Sequence, residues 1–179
     1  MSEEPISNFN KDPNTLYLVS VGRLTPQKGF DTAIGICKEL IDTGQNVKWY
    51  IVGEGEQRKE LEKKIVENNL ENNFILVGAD VNPYRWIKMC DVYVQPSRFE
   101  GYGITVAEAK TMNKKIVASD IPEFEELLGD YSNGITAEYE NFSKQILCSY
   151  KKDFVTFDPL IEENQIKNLY MLIEEKNER

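Results

Sequence analysis

Short apolar runs alternate along this chain with stretches of helical period. Leu16 to Val21, Val47 to Val52, Phe74 to Val77, Val92 to Gln95, Lys115 to Ala118 and Gly134 to Ala137 are β-rich and brief, as buried strands are. Between the first two, Phe30, Ile34, Cys37 and Ile41 recur at helical spacing within Phe30 to Thr43, and Gly44 stands where a C-terminal cap belongs. Gln57 to Asn68 sets Leu61, Ile65 and Val66 against Arg58, Lys59, Glu62 and Lys63, an amphipathic surface helix. Pro83 to Cys90 reads as a short helix opened by proline. Thr105 to Met112 reads as another, stopped by Asn113 in a left-handed turn. Pro122 to Leu128, Asn141 to Tyr150 and Pro159 to Glu175 complete the set, the last amphipathic through Leu160, Ile161, Ile166, Leu169, Tyr170 and Ile173. Strand and helix in strict alternation predict βαβ units, hence a three-layer α/β domain with a parallel sheet of about six strands. The domain is expected over residues 15–179, behind a flexible lead over residues 1–14.

In open parallel sheets ligands bind beyond the carboxyl ends of the strands, so the turns after the strands are the places to look for chemistry. After the first strand comes Gly22-Arg-Leu-Thr-Pro-Gln-Lys-Gly-Phe-Asp31, with Arg23 and Lys28 in a single loop before a helix. Glycines permit close backbone approach, and a helix N-terminus adds N–H groups and partial positive charge, so the loop is a cradle for an anion. A surface turn with solvated charges and Asp31 as a capping acid would look the same. The turn Gly53-Glu-Gly-Glu56 lacks the third glycine and the Lys-Ser/Thr of familiar nucleotide loops; tight turning explains its glycines as well as ligand passage does. The richest turn is Pro96-Ser-Arg-Phe-Glu-Gly-Tyr-Gly-Ile-Thr-Val-Ala-Glu108. Gly101 and Gly103 expose backbone N–H groups at a helix start, and Glu100 and Glu108 offer carboxylates to the hydroxyls of a sugar or ribose.

Composition narrows the function classes. A net charge of −9 argues against a nucleic-acid partner, which is held by many Lys and Arg at phosphates. It leaves room for one small phosphate ligand, because charges beyond about 8 Å are screened at physiological salt. With no His in 179 residues, general acid–base work would fall to carboxylates, Lys, Tyr or Cys. Cys37, Cys90 and Cys148 are odd in number and never paired as CxxC, which fits buried reduced thiols better than disulfides or a zinc site. The first residues lack the basic and apolar regions of a signal peptide, and no apolar run approaches the roughly 20 residues of a membrane span. The expected location is the cytoplasm.

The segments Val21-Gly-Arg-Leu, Lys28-Gly, Val52-Gly-Glu-Gly55, Phe74-Ile-Leu-Val-Gly78, Cys90-Asp-Val-Tyr-Val-Gln-Pro-Ser97, Glu100-Gly-Tyr-Gly and Glu108-Ala carry a resemblance. In this order and spacing, over about residues 15 to 140, the chain resembles the donor domain of the retaining GT-B glycosyltransferases of family 4, often called group 1. The resemblance implies a Rossmann-like fold that forms the C-terminal half of such an enzyme. It also implies a nucleoside-diphosphate sugar as donor substrate, with no metal and no further cofactor. Arg23 and Lys28 would bind the diphosphate and stabilise the leaving nucleotide. Glu100 would contact the transferred sugar, and Glu108 would accept from the ribose hydroxyls. Gly22 and Gly53, with the backbone of Gly101, Tyr102, Gly103 and Ile104, would line the donor. The catalytic set so implied is Arg23, Lys28 and Glu100.

Two departures stand out. Lys110-Thr-Met-Asn-Lys-Lys115 replaces the family's Ala-x-Gly helix end, and Ile121-Pro-Glu-Phe replaces a glycine pair before an acid. The family's enzymes also carry an N-terminal acceptor domain for which this chain has no room. That domain is expected in cis or on a partner chain, and a peripheral place at the inner membrane face stays open for a full-length enzyme. A non-catalytic nucleotide-binding module and half of a nucleotide-sugar epimerase are the alternatives. A glycosidase using Glu100 and Glu108 would leave Arg23 and Lys28 without a role.

Overall fold

The computed structural model describes residue 6 and residues 9–152. The elements run β1 (Leu16–Val21), α1 (Phe30–Asp42), β2 (Val47–Val52), α2 (Arg58–Glu67), β3 (Phe74–Gly78), α3 (Tyr84–Met89) and β4 (Val92–Gln95). They continue with α4 (Ile104–Thr111), β5 (Lys115–Ser119), α5 (Pro122–Leu128), β6 (Gly134–Ala137) and α6 (Phe142–Lys151). Two 3-10 turns that the hydrophobic pattern does not announce, Pro26–Lys28 and Tyr139–Asn141, precede α1 and α6. The expected helix over Pro159 to Glu175 lies outside the described residues. All strand pairings are parallel, in the order β3-β2-β1-β4-β5-β6. The chain winds outward from β1 through β2 to β3, then returns to lay β4 on the other side of β1. That reversal leaves a crevice beyond the carboxyl ends of β1 and β4.

Both faces of the sheet are covered, which is why its strands read as apolar runs. Alternate residues divide between two cores: Leu16, Leu18, Trp49, Ile51, Val92, Val94 and Val117 face α1, α2 and α6. Val19, Val21, Val52, Tyr93, Ile116 and Ala118 face α3, α4 and α5. Ser20, a polar residue inside β1, accepts from Trp49 Nε1 at 2.9 Å and donates to the Val94 carbonyl, so its hydroxyl is satisfied within the core. Ahead of β1, Phe9 packs edge-on against Tyr17 and Tyr50, and Lys11 pairs with Asp91 at 2.5 Å.

The pattern misplaces two side chains. Val66 is exposed, because α2 buries only Leu61 and Ile65, one turn apart. Cys148 is exposed too: the buried stripe of α6 is Phe142, Ser143, Ile146 and Ser149, and position 148 lies off it. Cys37 and Cys90 are buried as expected, and burial pushes both thiols up to about 12. Asn113 does adopt the left-handed conformation, at φ 51°, and Gly44 closes α1 at φ 86°.

Candidate functional site

The loop after β1 is fixed from two sides. Gly22 N–H donates to the Val52 carbonyl at 3.0 Å and Leu24 N–H to the Glu54 carbonyl at 2.9 Å, tying it to the turn after β2. The approach is close: a Cβ on Gly53 would lie 1.9 Å from the Gly22 carbonyl oxygen. Contact with its neighbouring turn therefore requires glycine at Gly53. On the other side, Gly29 adopts φ 67°, and a Cβ there would lie 2.0 Å from the Pro96 carbonyl oxygen. This position permits glycine alone, because it combines a left-handed backbone with direct contact between two loops. Arg98 N–H donates to the Gln27 carbonyl at 2.8 Å, and Gln27 Nε2 donates to the Phe99 carbonyl at 3.1 Å. The β1 and β4 loops are thus bound edge to edge across the crevice.

Across that seam lies the central contact. Lys28 Nζ reaches Glu100 Oε1 at 2.7 Å, with the two side chains 14% and 7% exposed. The Lys28 stem crosses Gly22 so closely that a Cβ on that glycine would lie 3.2 Å from the Lys28 Cε. Arg23 is exposed, and its side chain makes no hydrogen bond or ion pair with the described residues, so its guanidinium is open to a ligand. Gly103 caps α4 at φ 61°, and Ile104 and Thr105 begin its first turn, whose N–H groups point out of the helix. Gly101 is exposed with open space beyond its Cα. Tyr102 is half-buried beside it. Glu108 lies in the second turn of α4, and its Oε1 accepts from the Tyr84 hydroxyl at 2.9 Å.

Several participants escape the motif reading. Tyr93, Gln95 and Ser97 are fully buried polar residues behind Glu100. Ser97 Oγ donates to Glu100 Oε1 at 2.6 Å, and Gln95 Nε2 donates to Ser97 Oγ at 3.0 Å. The signal was present, since Gln95 breaks an apolar strand. Asp80 fixes the β3–α3 loop by accepting from Asn82 N–H, Arg85 and Trp86 Nε1, the last at 2.7 Å. Burial raises its carboxyl, but these donors outweigh burial and hold it below the usual value. Asp31 is no simple capping acid: Arg98 grips it with both terminal nitrogens, at 2.9 and 2.8 Å. Its burial likewise pushes upward, and the Arg98 fork holds it below the usual carboxylate value.

A hollow of about 420 Å³ opens next to this seam, bounded by Ser97, Arg98, Asp120, Glu138, Tyr139 and Glu140. Three carboxylates, Asp120, Glu138 and Glu140, and the Arg98 guanidinium stand on its wall. Among the described residues no group of three or more His, Cys, Asp or Glu is placed to hold a metal ion. No helix among them is long and apolar enough to cross a membrane.

Residues 2–147 match the family described as glycosyl transferases group 1. An uncharacterized glycosyltransferase of Methanocaldococcus jannaschii is 30% identical over 93% of this chain, which spans 43% of that relative's length. Staphylococcus aureus TarM, solved as a mutant with fondaparinux, alpha-GlcNAc-glycerol and UDP, shares the fold at a TM-score of 0.73 and 22% identity, over 93% of this chain and 38% of TarM. Anabaena HepE in complex with UDP-glucose superposes at a TM-score of 0.69 with 25% identity, over 77% of this chain and 40% of HepE. With the family match running over residues 2–147, the chain belongs to the group 1 glycosyl transferase family, and its three-layer α/β fold is that of the matching part of its GT-B structural neighbours.

Proposed function

We propose that this chain is the nucleotide-sugar-binding half of a retaining glycosyltransferase, which moves a sugar from a nucleoside-diphosphate sugar to a glycan, lipid or other acceptor. The observation that supports this reading is the Lys28–Glu100 contact, which joins the loop after β1, carrying Arg23 and Lys28, to the loop after β4 that leads into α4, at the crevice where the strand order reverses. In it, Arg23, Lys28 and the N–H groups from Gly101 to Ile104 hold the diphosphate and stabilise the charge that develops on the leaving nucleotide. Preorganised donors of this kind need no rearrangement at the moment of reaction. Glu108, oriented by Tyr84, accepts from the ribose, and Glu100 accepts from the sugar. Gly22 and Gly53 form the floor. UDP-sugars are the donors best supported, because TarM was solved with UDP and HepE with UDP-glucose.

Since the chain spans less than half of the relative above, transfer is assigned to the longer assembly. A second domain, in cis or from a partner, supplies the acceptor and closes the crevice. Positioning two reactants is worth about 7–11 kcal/mol of barrier, so the donor half binds without appreciable turnover. Thermal denaturation with UDP, GDP and ADP in the presence of chelator tests the reading. At a concentration a hundredfold above the dissociation constant, the cognate nucleotide should add about 2.7 kcal/mol of stability. No shift with any of the three at millimolar concentration would overturn it.

A further inference from the structure

The polar residues buried behind Glu100 form a single directed chain of hydrogen bonds. It starts at a group that can only donate: Val21 N–H, which reaches Tyr93 Oη at 3.3 Å. The Tyr93 oxygen being the acceptor there, its proton goes to Gln95 Oε1 at 2.9 Å. Gln95 then has only its Nε2 amide left to offer, and that donates to Ser97 Oγ at 3.0 Å. The Ser97 proton goes in turn to Glu100 Oε1 at 2.6 Å. Glu100, which as a carboxylate only accepts, ends the chain. Donor and acceptor roles at every step follow from the two ends, and burial pushes the Tyr93 hydroxyl well up, so it keeps its proton.

Tyr93, Gln95 and Ser97 are each 0% exposed, in or just beyond a strand whose other residues are apolar. Tyr93 answers the buried Val21 N–H, but the side chains of Gln95 and Ser97 bond only to other members of the line, so packing alone does not require the polar run from Gln95 to Glu100. Its effect is on Glu100. Ser97 and Lys28 both occupy Oε1, while Oε2 takes no hydrogen bond from the described residues. Two donors on one oxygen restrict how the carboxylate can turn and leave its second oxygen available to a further donor.

We propose that Tyr93, Gln95 and Ser97 are positioning residues which, by fixing Glu100 through a directed hydrogen-bond chain, aim its free oxygen at a hydroxyl of the donor sugar. The proposal rests on the donor-site reading above and adds a cause for discrimination between a nucleotide sugar and its bare nucleotide. Calorimetric titration of the chain with UDP and with UDP-glucose tests it. Ser97→Ala and the double variant Tyr93→Phe/Gln95→Leu should each weaken UDP-glucose about tenfold while leaving UDP within about twofold of the parent. Ser97→Thr, which restores the hydroxyl, should retain most of the affinity for the sugar nucleotide. The double variant removes both partners of the Tyr93–Gln95 bond but leaves the Val21 N–H without its acceptor, so its thermal midpoint is read beside its affinities, and the Ser97→Ala and Ser97→Thr pair tests the proposal without disturbing that N–H.

A merely structural role predicts a lowered thermal midpoint with both affinities unchanged, or both reduced alike; either result overturns the proposal. Equal affinity of the parent for UDP and UDP-glucose would also overturn it, while leaving the nucleotide site intact. Binding of neither ligand by the parent removes the donor-site reading and this proposal with it.

Discussion

Replacing Lys28 by Met separates the structural and binding roles of the buried ion pair. Met keeps the apolar stem that lies over Gly22 and removes only the ammonium. Glu100, 7% exposed at its side chain, then loses its counter-ion but keeps the Ser97 hydroxyl. Removing one partner of a fully buried pair costs about 3–5 kcal/mol. Here Lys28 retains 14% exposure and one hydrogen bond remains to the carboxylate, so a smaller loss of about 2 kcal/mol is expected. For a chain of this size that lowers the thermal midpoint by roughly 4–8 °C. Adding Glu100→Gln removes the stranded charge and should return at least half of the loss, a coupling that a double-mutant cycle reads directly. UDP affinity should behave differently. It should fall about ten- to hundredfold in Lys28→Met, the worth of one charge-assisted hydrogen bond, and stay low in the double variant. If affinity recovered together with stability, Lys28 would be a prop for the loops and not a phosphate ligand.

Three more outcomes follow from the geometry. Gly53→Ala should destabilise by at least about 2 kcal/mol, since its methyl meets the Gly22 carbonyl at 1.9 Å, whereas Gly101→Ala has open space and should leave the urea midpoint unchanged; equal loss in both would refute the packing account. Glu108→Ala should weaken UDP yet scarcely affect 2′,3′-dideoxy-UDP, and Tyr84→Phe should act in the same direction more weakly; a matching loss for both nucleotides contradicts ribose recognition. Asp31 has a folded value below its unfolded one, so its pairing stabilises above the unfolded value and is lost as pH falls through the lower, folded value. Arg98→Ala should accordingly be less stable than the parent by about 1 kcal/mol or less at pH 6, a partly exposed pair, with the gap closing towards pH 2; a gap that widens with acid would reverse the assignment.

Much of the fold was legible because strand and helix are written in local periodicity. Each of the six expected strands is present within a residue of its expected bounds, and Asn113 and Gly44 end their helices as their residue types suggest. The glycine-flanked turns and the cations Arg23 and Lys28 were equally visible, since βα alternation places such turns at the carboxyl ends of a parallel sheet. Periodicity fails where burial depends on which neighbour arrives: Val66 and Cys148 are apolar positions that no other described element covers.

By itself, then, the sequence determined the elements, the parallel sheet and the loops in which site chemistry could lie, for these depend on residues within a few positions of one another. Only the tertiary structure decided the rest. That β4 lies beside β1 brings Lys28 to Glu100, 72 positions away, and Arg98 to Asp31, 67 positions away. It also shows Gly29 to be a contact between loops and Gly53 to be a seat for Gly22. The line from Val21 through Tyr93, Gln95 and Ser97 to Glu100 exists only once two strands are joined. Partner choice over such separations is settled by closing the whole sheet and satisfying every buried polar group at once, a condition that no local window of the chain contains.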